Sequence, residues 1–286
     1  SLDVSANTAL TQLSCVNNNL TSVDVSSNTA LVGLHLENNQ LTSLDVSANT
    51  VLTHLSVDNN QLTSLDVSSN TALVELYLES NQLTVIDVSS NTALTELRCY
   101  SNDLTSLDVS SNTALTYLNC MENQITSLDL SNNTALSKLF VGENSLTSLD
   151  ISANTALTDL WCNNNQLTTQ DVSNNTALRF LYNSGNQITS LDVSNNPLLT
   201  YLEIHDNQLT YLNMKNGVTD AYTFFYAIGN SLTCIETLDP DWATANLTPA
   251  NENIDAGVTF EVICGAAART HWYVDTTGSD LTGSGT

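Results

Sequence analysis

Basic residues are scarce in this chain: five lysines and arginines stand against 30 aspartates and glutamates, a formal net charge of -25. Such a polyanion repels phosphate backbones and anionic lipid surfaces, which excludes nucleic acid as a partner. Long apolar runs are missing too. None approaches the ~20 residues of a membrane-spanning helix, and no basic, hydrophobic segment opens the chain. A soluble protein without membrane insertion is expected, with any export signal already removed. The motifs of catalysis are also lacking: there is no glycine-rich phosphate loop, no nucleophile elbow, no HExxH, and no serine or cysteine convincingly paired with a histidine. No enzyme is expected, and carboxylates that fall together on an acidic face, such as Glu122 and Glu143, do not make an acid pair without a cleft.

What the chain does have is one 21-residue unit in ten copies, running without insertion or deletion from Leu10 to Leu198 and once more from Leu199. Residues 52–72, LTHLSVDNNQLTSLDVSSNTA, show the unit cleanly, and residues 1–9 carry the tail of a preceding copy. Self-similarity at this period means a solenoid, in which each turn buries its leucines only by stacking on its neighbours. Repeat positions 1, 4, 6, 11, 14 and 16 hold those leucines.

The pattern LxxLxLxxNxL resembles the strand-and-turn signature of leucine-rich repeat proteins, over residues 1 to about 235. The LDVSxNTAL half resembles repeats of secreted and surface proteins of Bacteroidetes-type bacteria, and the Cys234–Cys264 region resembles the cap that follows them. The resemblance implies an α/β-type solenoid: a right-handed superhelix with a parallel β-sheet on its concave face. The convex half, rich in Asp, Ser and Asn, predicts turns or extended segments with little α-helix. Three segments are expected: a solenoid of about 11 strands over 1–233, a cap over 234–266, and over 267–286 a linker that resembles the start of a truncated β-helix-like domain. That last segment stops too early to fold as such a domain, which points to an excised piece of a longer exported protein, and the start in mid-repeat suggests a truncated chain or an exposed edge.

Cys15, Cys99, Cys120 and Cys162 occupy position 6, where other copies carry Leu or Val, and read as small buried side chains. Cys234 and Cys264 lie outside that column and are expected to form a disulfide over the last turn in an oxidising compartment. Asn18, Asn39, Asn60 and their successors at position 9 predict a ladder bonding buried backbone. The column Asp3, Asp24, Asp45 and onward predicts Asx turns, with calcium as a minor reading; no other cofactor is expected. The threonine column beginning at Thr21 serves capping and solubility rather than ice binding. Gln170 and Asn183 replace core residues and are expected to bond each other, backbone groups or a trapped water.

Candidate binding residues sit at positions 3, 5, 7, 8 and 10, which face out from the strands and vary between copies. Ten aromatic residues fall there: Tyr77, Tyr100, Tyr117, Phe140, Trp161, Phe180, Tyr182, Tyr201, Phe224 and Tyr226. Exposed aromatics on a soluble solenoid suit a protein partner or stacking against sugar rings, set against cross-strand packing that only stiffens the sheet. Glu37, Asp58 and Glu79 line up at position 7 beside His35 and His54, and await a cation or a basic partner if they are not simply solvated. A transition metal is not expected at the histidines, which lack ligand spacing. The sequence therefore reads as a secreted or cell-surface recognition module binding a protein or glycan, with a structural spacer as the rival. It reads as monomeric, with end-to-end pairing as the route to a dimer.

Overall fold

The computed structural model describes residues 2–217 and 222–265; the segment read as a downstream linker, 267–286, lies outside them. Each turn contributes one three-residue strand centred on the position-4 leucine. An eleven-stranded parallel sheet results, running through β2 (Gln12–Ser14), β4 (Gly33–His35), β5 (His54–Ser56), β6 (Glu75–Tyr77), β7 (Glu96–Arg98), β8 (Tyr117–Asn119), β9 (Lys138–Phe140), β10 (Asp159–Trp161), β11 (Phe180–Tyr182), β13 (Tyr201–Glu203) and β15 (Phe224–Tyr226). Register follows the repeat, so that Leu34 pairs with Leu55 and Leu55 with Leu76. On the other side of the coil, β1 (Leu2–Asp3) pairs with β3 (Val23–Asp24), and β12 (Ser190–Asp192), β14 (Tyr211–Asn213), β16 (Cys234–Glu236) and β17 (Thr259–Glu261) form a four-stranded sheet.

Between these sheets the second half of each repeat consists of tight turns. The Asn28 amide donates to Val25 (2.9 Å) and the Leu31 amide to Asn28 (3.1 Å), and the same pair recurs in each copy through Asn196 and Leu199. Helix is confined to α1 (Pro240–Asn246) and a short 3₁₀ turn at Pro249–Asn251. The structure is a leucine-rich repeat solenoid with a parallel sheet and very little helix.

The core is one continuous column. Leu34, Leu55, Leu76, Leu97 and Leu118 are buried, as are Cys99, Cys120 and Cys162 in the position-6 column. Each fully buried leucine contributes about 1.5–3 kcal/mol. Those cysteines and Cys15 are free thiols, and burial pushes the Cys120 thiol up to about 12, which keeps it inert.

Two asparagine ladders tie the turns together. At position 9, Asn39 donates to the carbonyls of Cys15, Leu36 and Glu37 and accepts the Leu20 amide; Asn60, Asn81 and Asn102 repeat the pattern. At position 19 runs a ladder that the turn-rich reading of VSxNTA did not anticipate. Asn112 is fully buried and donates from Nδ2 to Val88 (3.0 Å) and Asn91 (2.9 Å) in the preceding turn, and every such residue from Asn28 to Asn196 does likewise.

The Asp column forms Asx turns. Asp24 accepts the Ser26 amide at 2.9 Å, and Asp45 and Asp66 do the same with Ser47 and Ser68. The serine hydroxyl and then the serine amide hold these carboxyls below the usual range.

Position 8 has a left-handed backbone in copy after copy, at Asn59 (φ 51), Ser80 (φ 52), Glu122 (φ 51) and Gly185 (φ 63). Of the partners expected for the two core amides, Gln170 takes a backbone group, donating to the Asp171 carbonyl (3.3 Å), while the Asn183 oxygen accepts from the Asn186 side chain (2.9 Å). At the C-terminal end, Phe260, Ala243, Leu247 and Ile254 are buried and Trp242 packs partly against the core, whereas Ile263 is 40% exposed. The Cys234–Cys264 disulfide is present, with the two Cα atoms 5.8 Å apart.

Candidate recognition face on the eleven-stranded sheet

Positions 3 and 5 flank the buried leucine of each strand and therefore project from the outer face of the sheet. Strands ~4.8 Å apart bring side chains on neighbouring turns into ring-contact range. Tyr117, Phe140, Trp161, Tyr182, Tyr201 and Phe224 form one unbroken run over six neighbouring strands. Their successive centroids lie 5.2, 5.1, 4.4, 4.4 and 4.4 Å apart. The Phe140–Trp161 contact is edge-on, whereas Tyr182, Tyr201 and Phe224 stack at interplanar angles of 23° and 12°. Each such pair contributes about 0.5–1.5 kcal/mol beyond area burial. The rings stay half-buried, and Phe224, on the edge strand, is 39% exposed.

The run continues past Tyr117 through a cation. The Arg98 guanidinium lies 4.9 Å from the Tyr117 ring and 4.7 Å from the Tyr77 ring, and its charge is met by Glu96 at 2.5 Å. Arg98 is thereby committed to the fold. Arg98, Lys138 and Arg179 lie on or beside these strands, and among the described residues Arg98 alone of the three makes an ion pair; Arg179 lies over Phe180 at 5.8 Å. The remaining aromatics border the run. Phe180 touches Tyr201 and Tyr226 touches His205 and Phe224, while Tyr100 makes no ring contact and stands beside Glu79.

The acidic residues divide by environment. Glu37 faces His35 at 3.6 Å and Glu75 faces His54 at 3.7 Å. Asp58 accepts the Glu79 amide (3.2 Å) and the Ser56 hydroxyl (3.1 Å). Glu79 is only 5% exposed, and burial, then the facing Asp58 carboxyl, holds its proton well above the usual carboxylate range. Sequence reasoning grouped Glu79 with solvated neighbours, whereas the folded chain buries it. A second acidic cluster, Glu203, His205 and Asp206 beside Tyr226, escaped the sequence reading, although its residues occupy outward positions. Among the described residues no group of three or more His, Cys, Asp or Glu is placed to hold a metal ion. A cleft of about 260 Å³ lies on the turn side, lined by Asp150, Ile151, Thr169 and Asp171, away from the rings.

With its repeat, its parallel sheet and its terminal disulfide, the chain is a leucine-rich repeat solenoid protein of 21-residue repeats. No family model matches it, and no curated protein does. Among solved structures it is similar to the functional domain of InlJ from Listeria monocytogenes, which includes a cysteine ladder. The identity is 38%, over 82% of this chain and 56% of that one, with a TM-score of 0.77. The chain thus spans little more than half the length of that domain. It shares the fold of the Leptospira interrogans leucine-rich repeat protein LIC12759 (22% identity, TM-score 0.64, covering 88% of this chain and 79% of that one). It also shares the fold of the ectodomain of the Arabidopsis thaliana membrane receptor kinase GASSHO1/SCHENGEN3, solved in complex with Casparian strip integrity factor 2 (23% identity, TM-score 0.75, covering 87% and 33%). No helix among the described residues is long and apolar enough to cross a membrane.

Proposed function

We propose that this chain is a non-catalytic recognition module of a secreted or cell-surface protein, holding a polypeptide partner on its eleven-stranded sheet. The observation that carries the reading is the run of six half-buried rings from Tyr117 to Phe224 on an open sheet face. Aromatic rings offer large rigid contact area at low entropic cost, which makes them anchors in protein interfaces. Their own stacking favours a polypeptide over a glycan. A sugar ring needs an open aromatic face, and here Tyr182, Tyr201 and Phe224 cover one another's faces and turn their edges outward. Two receptors of the same fold, GASSHO1/SCHENGEN3 and RGFR1, were solved with Casparian strip integrity factor 2 and RGF2 respectively, which accords with a polypeptide ligand. Export is supported by the Cys234–Cys264 disulfide and by the likeness to the InlJ domain.

A structural spacer is the second reading, favoured by the same ring contacts if their only role is to stiffen the sheet. The test is an array of extracellular proteins and glycans, probed with the wild-type chain and with a Trp161→Ala, Tyr182→Ala double variant. A protein hit lost in the variant is the expected outcome. Silence from both folded proteins favours the spacer, and a hit confined to glycans overturns the choice of partner.

A further inference from the structure

Repeat positions 7 and 8 follow each strand of the eleven-stranded sheet, so their side chains collect along the edge at which the strands end. Six carboxylates lie there: Glu37, Asp58 and Glu79 on successive turns, Glu122 and Glu143 beginning two turns further on, and Asp206 three turns beyond Glu143; the first five form one row. Tyr100 stands in the intervening turn, close enough to Asp58, Glu79 and Glu122 that all three raise its hydroxyl's affinity for its proton, after burial. Ser101 donates to Glu122 at 2.5 Å. The row runs parallel to the rings and is short of counter-charge. Among the described residues, ion pairs on the sheet engage Glu37, Glu75, Glu96, Glu203 and Asp206, and none reaches Asp58, Glu79, Glu122 or Glu143.

Glu79 separates this row from an ordinary solvated acidic face. It is 5% exposed, its Oε2 has no hydrogen-bond donor, and the group it faces is another carboxyl. Burial and the facing carboxyl keep a proton on Glu79 while no cation balances the pair, and a cationic side chain brought to it supplies that counter-charge together with the missing hydrogen bond. Among the described residues the cation near it, Arg98, is engaged by Glu96 and two tyrosine rings.

We propose that this carboxylate row seats lysine or arginine side chains of the bound polypeptide, so that the partner is an amphipathic basic segment. Its apolar ridge lies on the rings and its cations point to the edge where the strands end. The proposal rests on the reading of the sheet as a polypeptide-recognition face and adds the chemistry and orientation of the partner. Charge complementarity selects this occupant: a chain of net charge -25 attracts cations everywhere, but only this row pairs that attraction with a buried, donor-starved oxygen beside an apolar strip.

The test uses three synthetic peptides alternating tyrosine with lysine, glutamine or glutamate, titrated calorimetrically against three forms of the chain. These are the wild type, a row variant (Asp58→Asn, Glu79→Gln, Glu122→Gln), and a control that removes as many charges from the turn side (Asp66→Asn, Asp87→Asn, Asp108→Asn). The lysine peptide is expected to bind the wild type most tightly, to lose about tenfold in affinity on the row variant, and to change less than about twofold on the control. Equal losses on both variants mean bulk attraction and overturn the seat. A glutamine peptide that binds as tightly as the lysine peptide also overturns the seat, yet leaves the recognition face standing if the Trp161→Ala, Tyr182→Ala variant loses it. Failure of all three peptides overturns the face and the seat together. Should the row variant melt early, Glu79→Gln alone, an isosteric change, carries the comparison.

Discussion

Glu79 and the exposed aspartates respond to pH in opposite senses. A carboxyl whose folded-state pKa lies above its unfolded value near 4.5 favours folding while it is protonated in both states, and withdraws that contribution as pH rises toward the folded value. The Asx-turn aspartates are held below their unfolded value near 3.8, so their contribution is present above it and is lost as pH falls through the folded value. The chain should therefore be most stable in mildly acidic solution. Glu79→Gln, which has no proton to lose, is expected to raise the melting temperature more at pH 8 than at pH 5. An equal change at both pH values would mean that Glu79 titrates normally. That residue was visible in the sequence as a carboxylate in a row, but its burial arises only in the folded chain, and the row alone does not report it.

At the level of the element, the turn half of the repeat matters as much as the strand half. Asn112→Ala removes two buried hydrogen bonds and leaves the carbonyls of Val88 and Asn91 with the turn amides of Asn91 and Leu94 as their donors, at a cost of roughly 1–3 kcal/mol. The exposed Thr105→Ala in the same turn should stay within about 0.5 kcal/mol. Urea midpoints of the two variants compare them directly, and coincident midpoints would refute the second ladder's role. Strands, leucine columns and the position-9 ladder were legible in the sequence because stacking gives every copy the same environment. The position-19 ladder was not, since its neighbours are exposed and Asn, Ser and Asp also suit ordinary turns. The available signal was contrast: position 18 varies among Ser, Ala and Asn, whereas position 19 is Asn in each copy from Asn28 to Asn196. Position 8 shows the opposite case, a uniform left-handed backbone beneath varied residues, since Asn, Ser, Glu, Asp and Gly all fill it.

Across the whole molecule, like charges stack at the strand spacing on the turn side, and the net charge is -25. Exposed repulsions of this kind are screened within about 10 Å at 0.1 M salt. The melting temperature is expected to climb by a few degrees between low ionic strength and about 0.3 M sodium chloride. A flat or falling response would show that the aspartates do not oppose folding. The candidate face was legible only in part. Which rings lie outward followed from the period, but their mutual stacking and the clamping of Arg98 depend on distances between turns that no single repeat contains.

Both asparagine ladders share a direction: Asn39 reaches Cys15 and Leu20, and Asn112 reaches Val88 and Asn91, in each case toward the turn made earlier in the chain. A newly arriving turn thus finds its partners already set, and in docking it accepts the amide, such as that of Leu20, that the turn before it left open. Assembly of the coil acquires a preferred sense, from first residue to last, which is also the order in which a ribosome delivers the chain. A molecule wound this way ratchets shut behind its own synthesis, each amide side chain acting as a pawl against the coil already in place.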